Sequence, residues 1–370
     1  NGQAAKLLVA EWSKADEQFA NQFADGNVDP RVIRGLAVAL AQLNLTPEIK
    51  EEWNQDCRSC FRSLHPVFKQ IYAGFVALPD DQSDVAVQRC KGLGLEALEQ
   101  MIDNMDQEYM ESRQVLNHND TKQFNILVEQ PIIQSGGAQT FGEHGNFAIC
   151  DWEMTVKGKS GKDVGVFWAW SLACMLCHAA QGNEKEARHL LQTSMNFWNE
   201  YASILVQEGE KDEEYLIDTL RGAFGGAYLY LFFAYYAFGM HGDCLPLEGA
   251  SEEVAAKAKG AMGYVGMFLG DESYGDNKSA LPLDGLLNLF ESTLMGEIEA
   301  LIESSGVAKK EPAQHRPHHR RESNRRASDA MMMEEAIKRM SNAEISKGGR
   351  ASIYGIDIPD ADELLDGEDF

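Results

Sequence analysis

The sequence predicts a mainly α fold: two helical lobes joined by a small connector containing a β-hairpin, followed by an extended C-terminal arm. Three observations carry that expectation. Apolar stripes at helical spacing and helix start signals recur before residue 113 and after residue 167. The stretch between them is rich in glycine and in short β-like runs. After Gly306 apolar residues become scarce. The implied organisation is an N-terminal helical lobe (1–113), a β-containing connector (114–166), a second helical lobe (167–306) and a charged flexible arm (307–370).

In the first lobe, Leu8, Trp12, Ala15 and Phe19 form one helical stripe. Asp29-Pro30 is an N-cap followed by proline at the first helical position, and Thr46-Pro47 repeats the device. The helix after Pro47 carries Trp53, Cys57, Cys60 and Leu64 on one side, and His65-Pro66 is expected to break it. A further start at Asp80 to Asp84 leads into a long helical run ending near Arg113.

In the connector, Phe124 to Val128 reads as a strand, and Gly136, Gly137, Gly142 and Gly145 mark an irregular loop. Phe147–Val156 and Val164–Phe167 around Lys157-Gly-Lys-Ser-Gly-Lys162 read as a hairpin with a polar turn. Residues 167–180 and 184–207 then form a helical hairpin about Gln181-Gly182-Asn183. Its small and large residues are those of a single tetratricopeptide-like pair, but no such period recurs along the chain.

Residues 223–240 contain no charge. Their length is at the lower edge for crossing a bilayer, yet four mid-segment tyrosines and acidic flanks favour a helix buried among neighbours. Helices at about 251–268, capped by Ser251, and 283–304 complete the lobe.

Charge and cysteine content bound the partners and the compartment. The formal net charge is -25, and residues 1–308 hold 22 Lys/Arg against 45 Asp/Glu. Such a body repels nucleic-acid backbones and anionic membranes. Seven cysteines, an odd number, in a chain long enough for a proper core suit free thiols in a reducing, cytoplasmic compartment.

Several motifs invite chemistry and are read structurally. Cys57-x-x-Cys60 and Cys174-x-x-Cys177-His178 have spacings used for zinc or haem, but both lie in helical patterns where i and i+3 share a face. Gly158-Lys159-Ser160 echoes the end of a phosphate-binding loop, except that Glu153 stands where its first glycine is required. His118-Asn119-Asp120 reads as a polar turn, and Asp80-Asp81 as a helix cap. No cofactor is expected.

The arm carries clearer signals. Lys309, Lys310, Arg316, Arg320, Arg321, Arg325 and Arg326 make a basic segment that could contact nucleic acid or an acidic protein surface. Ser323 and Ser328 follow paired arginines at the spacing read by basophilic kinases. Ile353, Tyr354, Ile356, Leu364, Leu365 and Phe370 alternate with acidic residues as a docking peptide does. The function expected from these features is a non-enzymatic assembly protein that forms homo-oligomers through its arm, in the manner of a coat or nucleocapsid subunit. Two other readings stand beside it. One is an intracellular helical adaptor regulated by tail phosphorylation. The other is an enzyme whose site lies in the glycine-rich 134–151 segment, with His144 and Asp151 as candidate groups near Ser135.

Overall fold

The computed structural model describes residues 15–46, 55–80, 83–129, 132–133, 139–141, 145–276, 278–305, 351–353 and 356–358. The protein is mainly α-helical, with small antiparallel β pairings. Strand β1 (Ala15–Gln18) and helix α1 (Ala20–Ala24) precede α2 (Pro30–Leu45), α3 (Gln55–Ala77), α4 (Val85–Leu93) and α5 (Leu95–Glu111). The connector holds β2 (Val115–Asn117), β3 (Ile126–Glu129), β4 (Ile132–Ile133), β5 (Gln139–Thr140), β6 (Phe147–Ile149) and β7 (Val156–Gly158). Helices α6 (Lys162–Ala180), α7 (Glu184–Gln207) and α8 (Glu213–Tyr228) follow, and α8 runs on as a π-helix over Leu229–Ala237. Then come α9 (Glu252–Tyr274), α10 (Leu283–Ser304) and the strand pair β8 (Ala351–Ile353) and β9 (Ile356–Ile358).

Side-chain caps place several boundaries. Asp29 accepts from the Arg31 N–H at 2.9 Å, Asp84 from Ala86 at 2.8 Å, Asp212 from Tyr215 at 2.9 Å and Ser251 from Val254 at 3.3 Å. Each satisfies a donor that the first turn leaves without a helical partner. The run expected from Asp80 to Arg113 is two helices, because Gly94 adopts φ +81° and ends α4.

Helix α6 is the hub. Every residue from Asp163 to Ala180 is buried, and it packs against α1, α7, α8, α9 and α10. It is the one helix among the described residues long and apolar enough to cross a membrane, and it is wholly enclosed by its neighbours. Close approach to α8 depends on small residues: a Cβ on Gly165 would lie 1.9 Å from the Ala223 carbonyl oxygen. Residues 223–237 are likewise buried helix, as the segment's lack of charge predicts, but from Leu229 on it has π geometry, and residues 238–240 leave it. Helix α9 packs on α4, α8 and that π-helix, while α3 packs on α4 and α5. Described helices from both sides of the connector thus line one continuous buried cluster.

Three expectations need correction. Residues 15–18 are strand, pairing antiparallel with β3 instead of extending a helix from Leu8. Of the stripe residues, Phe19 is buried in the core, where it packs edge-on against Phe23 at 5.1 Å. Helix α3 continues through Pro66, because burial of Leu64, Phe68, Tyr72 and Phe75 along one side outweighs one missing backbone bond. Val164–Phe167 belongs to α6, so the hairpin expected around Lys157–Lys162 does not form. Its first half pairs elsewhere: β6 with β3, and β7 with β2. Thr46 ends α2, and residues 47–54, where a helix starting at Thr46-Pro47 is expected to begin, lie outside the described residues.

Candidate functional site

The sharpest correction concerns residues 117–125. His118-Asn119-Asp120, which reads as a polar turn, is buried together with the residues after it: His118, Asp120, Thr121 and Gln123 have no exposed surface, and Lys122 is 2% exposed. Burying this many polar groups is costly unless each finds a partner. The partners come from the surrounding elements.

Asp120 is the centre. Its Oδ1 accepts from the Tyr230 hydroxyl at 3.0 Å. Its Oδ2 accepts from Asn125 Nδ2 at 2.7 Å and lies 3.3 Å from the Lys122 ammonium. Burial holds the Lys122 amine below its ordinary range, while Asp120, Asp151 and Glu153 pull it back up. His118 fixes the loop on both sides of its ring. Nδ1 accepts from the Asp120 N–H at 3.3 Å, so Nε2 carries the proton and donates to the Cys150 carbonyl at 2.8 Å.

The β3–β6 pair closes the constellation. Ile126 stands opposite Ile149, so Asn125 and Cys150 flank that rung, and the Cys150 N–H donates to the Asn125 carbonyl at 2.8 Å. Asp151 therefore follows Cys150 out of the sheet, near enough for Asp120 to act on its carboxyl. Its carboxyl is raised by burial first, then by repulsion from Glu153 and Asp120. Next to it, Trp152 is 44% exposed, with its ring edge-on to His118 at 4.5 Å.

The far wall is aromatic. The π-helix brings Tyr230 and Tyr235 onto one side, with ring centroids 6.3 Å apart; five-residue spacing shares a face only when the helix is widened this way. The Tyr235 hydroxyl is buried with no hydrogen-bond partner among the described residues. His241 stacks on Phe124 at 4.2 Å, and burial followed by Lys122 lowers its imidazole to about 4.

Backbone conformation converges on the same place. Of the four non-glycine residues with left-handed φ among the described residues, Asn119, Asp151 and His241 lie here, at 68°, 64° and 55°, and Glu210 lies elsewhere, before α8. Such residues each cost roughly 1–3 kcal/mol and concentrate at functional sites.

Other sequence candidates fall elsewhere. Cys174 and Cys177 are enclosed within α6, and burial raises both thiols far above their ordinary range. The side chains of Cys57 and Cys60 lie outside the described residues, as do Ser135 and His144. Gly158-Lys159-Ser160 joins β7 to α6, and a Cβ on Gly161 would lie 1.9 Å from the Thr219 carbonyl oxygen, so α8 covers the turn where a phosphate would sit. Lys159 instead pairs with Asp218. In the arm, Ile353 pairs with Ile356 across β8 and β9. Lys309, Lys310, Arg316, Arg320, Arg321, Arg325, Arg326, Ser323, Ser328, Tyr354, Leu364, Leu365 and Phe370 lie outside the described residues.

The signal that could have found this site is a spacing: His118-x-Asp120 followed by Asn125, then Asp151 after a β-like run. The chain matches no family model, and no curated protein is significantly similar to it.

Proposed function

We propose that the chain catalyses phosphoryl transfer from a nucleoside triphosphate to a substrate hydroxyl, with Asp120 as the base. One observation carries the reading: Asn125 bonds to Asp120, and the Cys150 N–H bonds to the Asn125 carbonyl, so Asp151 follows directly at the end of the β3–β6 pair. Protein kinases arrange a catalytic loop H-R-D-x-x-x-x-N and a D-F-G aspartate in this order and for this chemistry. Here His118-Asn119-Asp120 and Asn125 keep the loop spacing, and Asp151-Trp152-Glu153 stands in the second position. Asn119 replaces the arginine, and Trp152-Glu153 replaces Phe-Gly. In this reading the helical lobes 1–113 and 167–306 brace the connector 114–166, which holds the reacting groups.

The donor set fits a magnesium ion bound together with substrate phosphates, which needs only one or two protein carboxylates. Glu153 and Asp120 both raise the Asp151 carboxyl, so a cation there would relieve that repulsion. The Asn125 amide nitrogen is committed to Asp120, which leaves its oxygen, with the Asp151 carboxylate, to hold the ion. When bound, the ion would neutralise charge on the phosphate oxygens.

The remaining roles belong to the chain. Tyr230 and Asn125 orient the Asp120 carboxylate by one hydrogen bond to each oxygen. Asp120 has no exposed surface, so the segment around it must open for a substrate hydroxyl to reach it. As the substrate oxygen then bonds to the terminal phosphorus, its proton passes to Asp120. The bridging P–O bond breaks, and its electron pair leaves on the nucleoside diphosphate. Lys122, beside Asp120 and screened from bulk water, places positive charge where the transferring group becomes more anionic.

The test is nucleoside diphosphate release from magnesium ATP across a panel of hydroxyl compounds, comparing the full chain with Asp120→Asn. Loss of a general base should lower turnover about 10²–10⁴-fold, with circular dichroism confirming that the variant folds. Absence of transfer and of ATP hydrolysis in the unaltered chain, or equal turnover in the variant, would sink the proposal.

A further inference from the structure

A second feature is independent of that reaction. A cleft of about 200 Å³ opens between the end of α2, the segment entering β2, strand β7 and the turn before α8. Arg113, Lys157 and Lys211 line it together with Thr46, Gln114 and Tyr215, and no Asp or Glu is among its described lining residues. In a body with twice as many acids as bases, a cleft whose described lining holds three cations and no carboxylate runs against the composition, the nearest described carboxylate contact being that of Gln114 with Asp218 at 3.1 Å.

The charges are also unspent. Lys69, Lys91, Lys159 and Lys257 each pair with a carboxylate. Arg113 donates only to the carbonyls of Met110 and Ser112, and Lys211 lies over the Tyr215 ring at 4.7 Å. Neither these two nor Lys157 has an ion pair among the described residues.

The wall is held in place from behind. Buried Arg58 donates to the carbonyls of Tyr109, Met110, Ser112 and Lys157, which ties the Arg113 segment to β7. The β2–β7 register sets Leu116 opposite Lys157. The cations therefore project from a braced strand pair and a capped turn.

We infer that this cleft binds a small phosphate-bearing anion. A guanidinium offers a planar fork of donors and two ammonium groups add point charges, a combination suited to a tetrahedral dianion. The volume is below the roughly 300–1,000 Å³ of sites for drug-sized ligands, so a phosphate with a short attached group is the size expected.

Calorimetric titration of the full chain with inorganic phosphate and with pyrophosphate, at constant ionic strength, tests the inference. Saturable binding is expected, weakened at least about tenfold by Lys157→Gln or Arg113→Gln, weakened again by raised chloride, and unchanged by Asp120→Asn. All three cations reach solvent, so their replacement should leave the fold intact, which circular dichroism checks. No saturable heat with either anion, or binding that survives Arg113→Gln and Lys157→Gln together, would overturn it. So would binding lost in Asp120→Asn alone, which would place the anion at the other site.

Discussion

Asp163, in the first turn of α6, accepts the backbone N–H of Asn119 at 2.7 Å and that of His118 at 2.8 Å. One buried carboxylate thus fixes the left-handed turn that presents Asp120, and the Thr121 hydroxyl bonds back to the Asp163 carbonyl at 2.7 Å. Burial raises this carboxyl, and the two N–H donors and His118 oppose the rise. An asparagine there has a single acceptor oxygen, so one N–H would face an NH₂ group. Asp163→Asn should cost about 1–3 kcal/mol, read from the shift in urea midpoint, and should lower phosphoryl transfer although residue 163 touches no reacting atom. Wild-type stability in the variant would show that the turn holds without it.

Tyr230 and Tyr235 form a matched pair on the π-helix. The first donates to Asp120, whereas the second has a buried hydroxyl with no hydrogen-bond partner among the described residues. Tyr230→Phe should lose about 1.5–3 kcal/mol, the usual range for a hydrogen bond to a charged group. Tyr235→Phe should be neutral or slightly stabilising, because it removes a polar group that gains nothing from burial. Chemical denaturation of the two variants side by side checks the contrast. Equal losses would mean that the Asp120 bond contributes no more than general packing.

Much of the helical frame was legible because it follows local rules. Asp29-Pro30 and Ser251 mark starts through caps that the folded chain uses, and the 283–304 helix is the one its periodicity predicts. The site was hidden for a different reason. His118, Asp120 and Lys122 are polar, and polarity in a short segment ordinarily signals solvent, so the sequence reads them as a turn. Only tertiary partners remote in sequence, Cys150, Asp163 and Tyr230, make their burial tolerable. The left-handed residues Asn119, Asp151 and His241 carry no compositional mark, since none is glycine. The strand pairings went wrong at Val164–Phe167 because a short apolar run fits strand or buried helix equally well, and packing around α6 decided for helix.

Two glycines in helix interiors should respond oppositely to alanine. At Gly165 the added carbon would meet the Ala223 carbonyl oxygen at 1.9 Å, a backbone atom that cannot swing aside, so α6 and α8 would have to separate. Gly165→Ala should therefore cost about 3 kcal/mol or more, the upper range for overpacking. Gly296, on α10, has nothing within 4 Å of the same position. There alanine should add roughly 0.5–1 kcal/mol through helix propensity and a less flexible unfolded chain. Thermal and urea unfolding of both variants tests this, and a stabilised Gly165→Ala would refute the close α6–α8 contact.

His241 should make stability depend on pH in a defined window. Its imidazole titrates at about 4 in the fold against the ordinary 6.5; burial is the main cause and Lys122 adds to it, while Asp243 and Asp120 oppose them. Between those values the unfolded chain binds the proton and the folded chain does not. Stability therefore rises with pH across the window and is fully present above about 6.5. The contribution lost on acidification to pH 4 should be about 2–3 kcal/mol. The buried carboxyls Asp151 and Asp163 act in the opposite sense, because their raised values favour the folded state at low pH. A difference measurement isolates the histidine. Asparagine tolerates the left-handed backbone at this position and does not titrate, so Asp151 and Asp163 contribute to both proteins alike. Urea unfolding from pH 4 to 7 should show the unaltered chain losing that extra stability relative to His241→Asn. Parallel curves would mean that the imidazole takes up its proton equally well in the folded and unfolded chains.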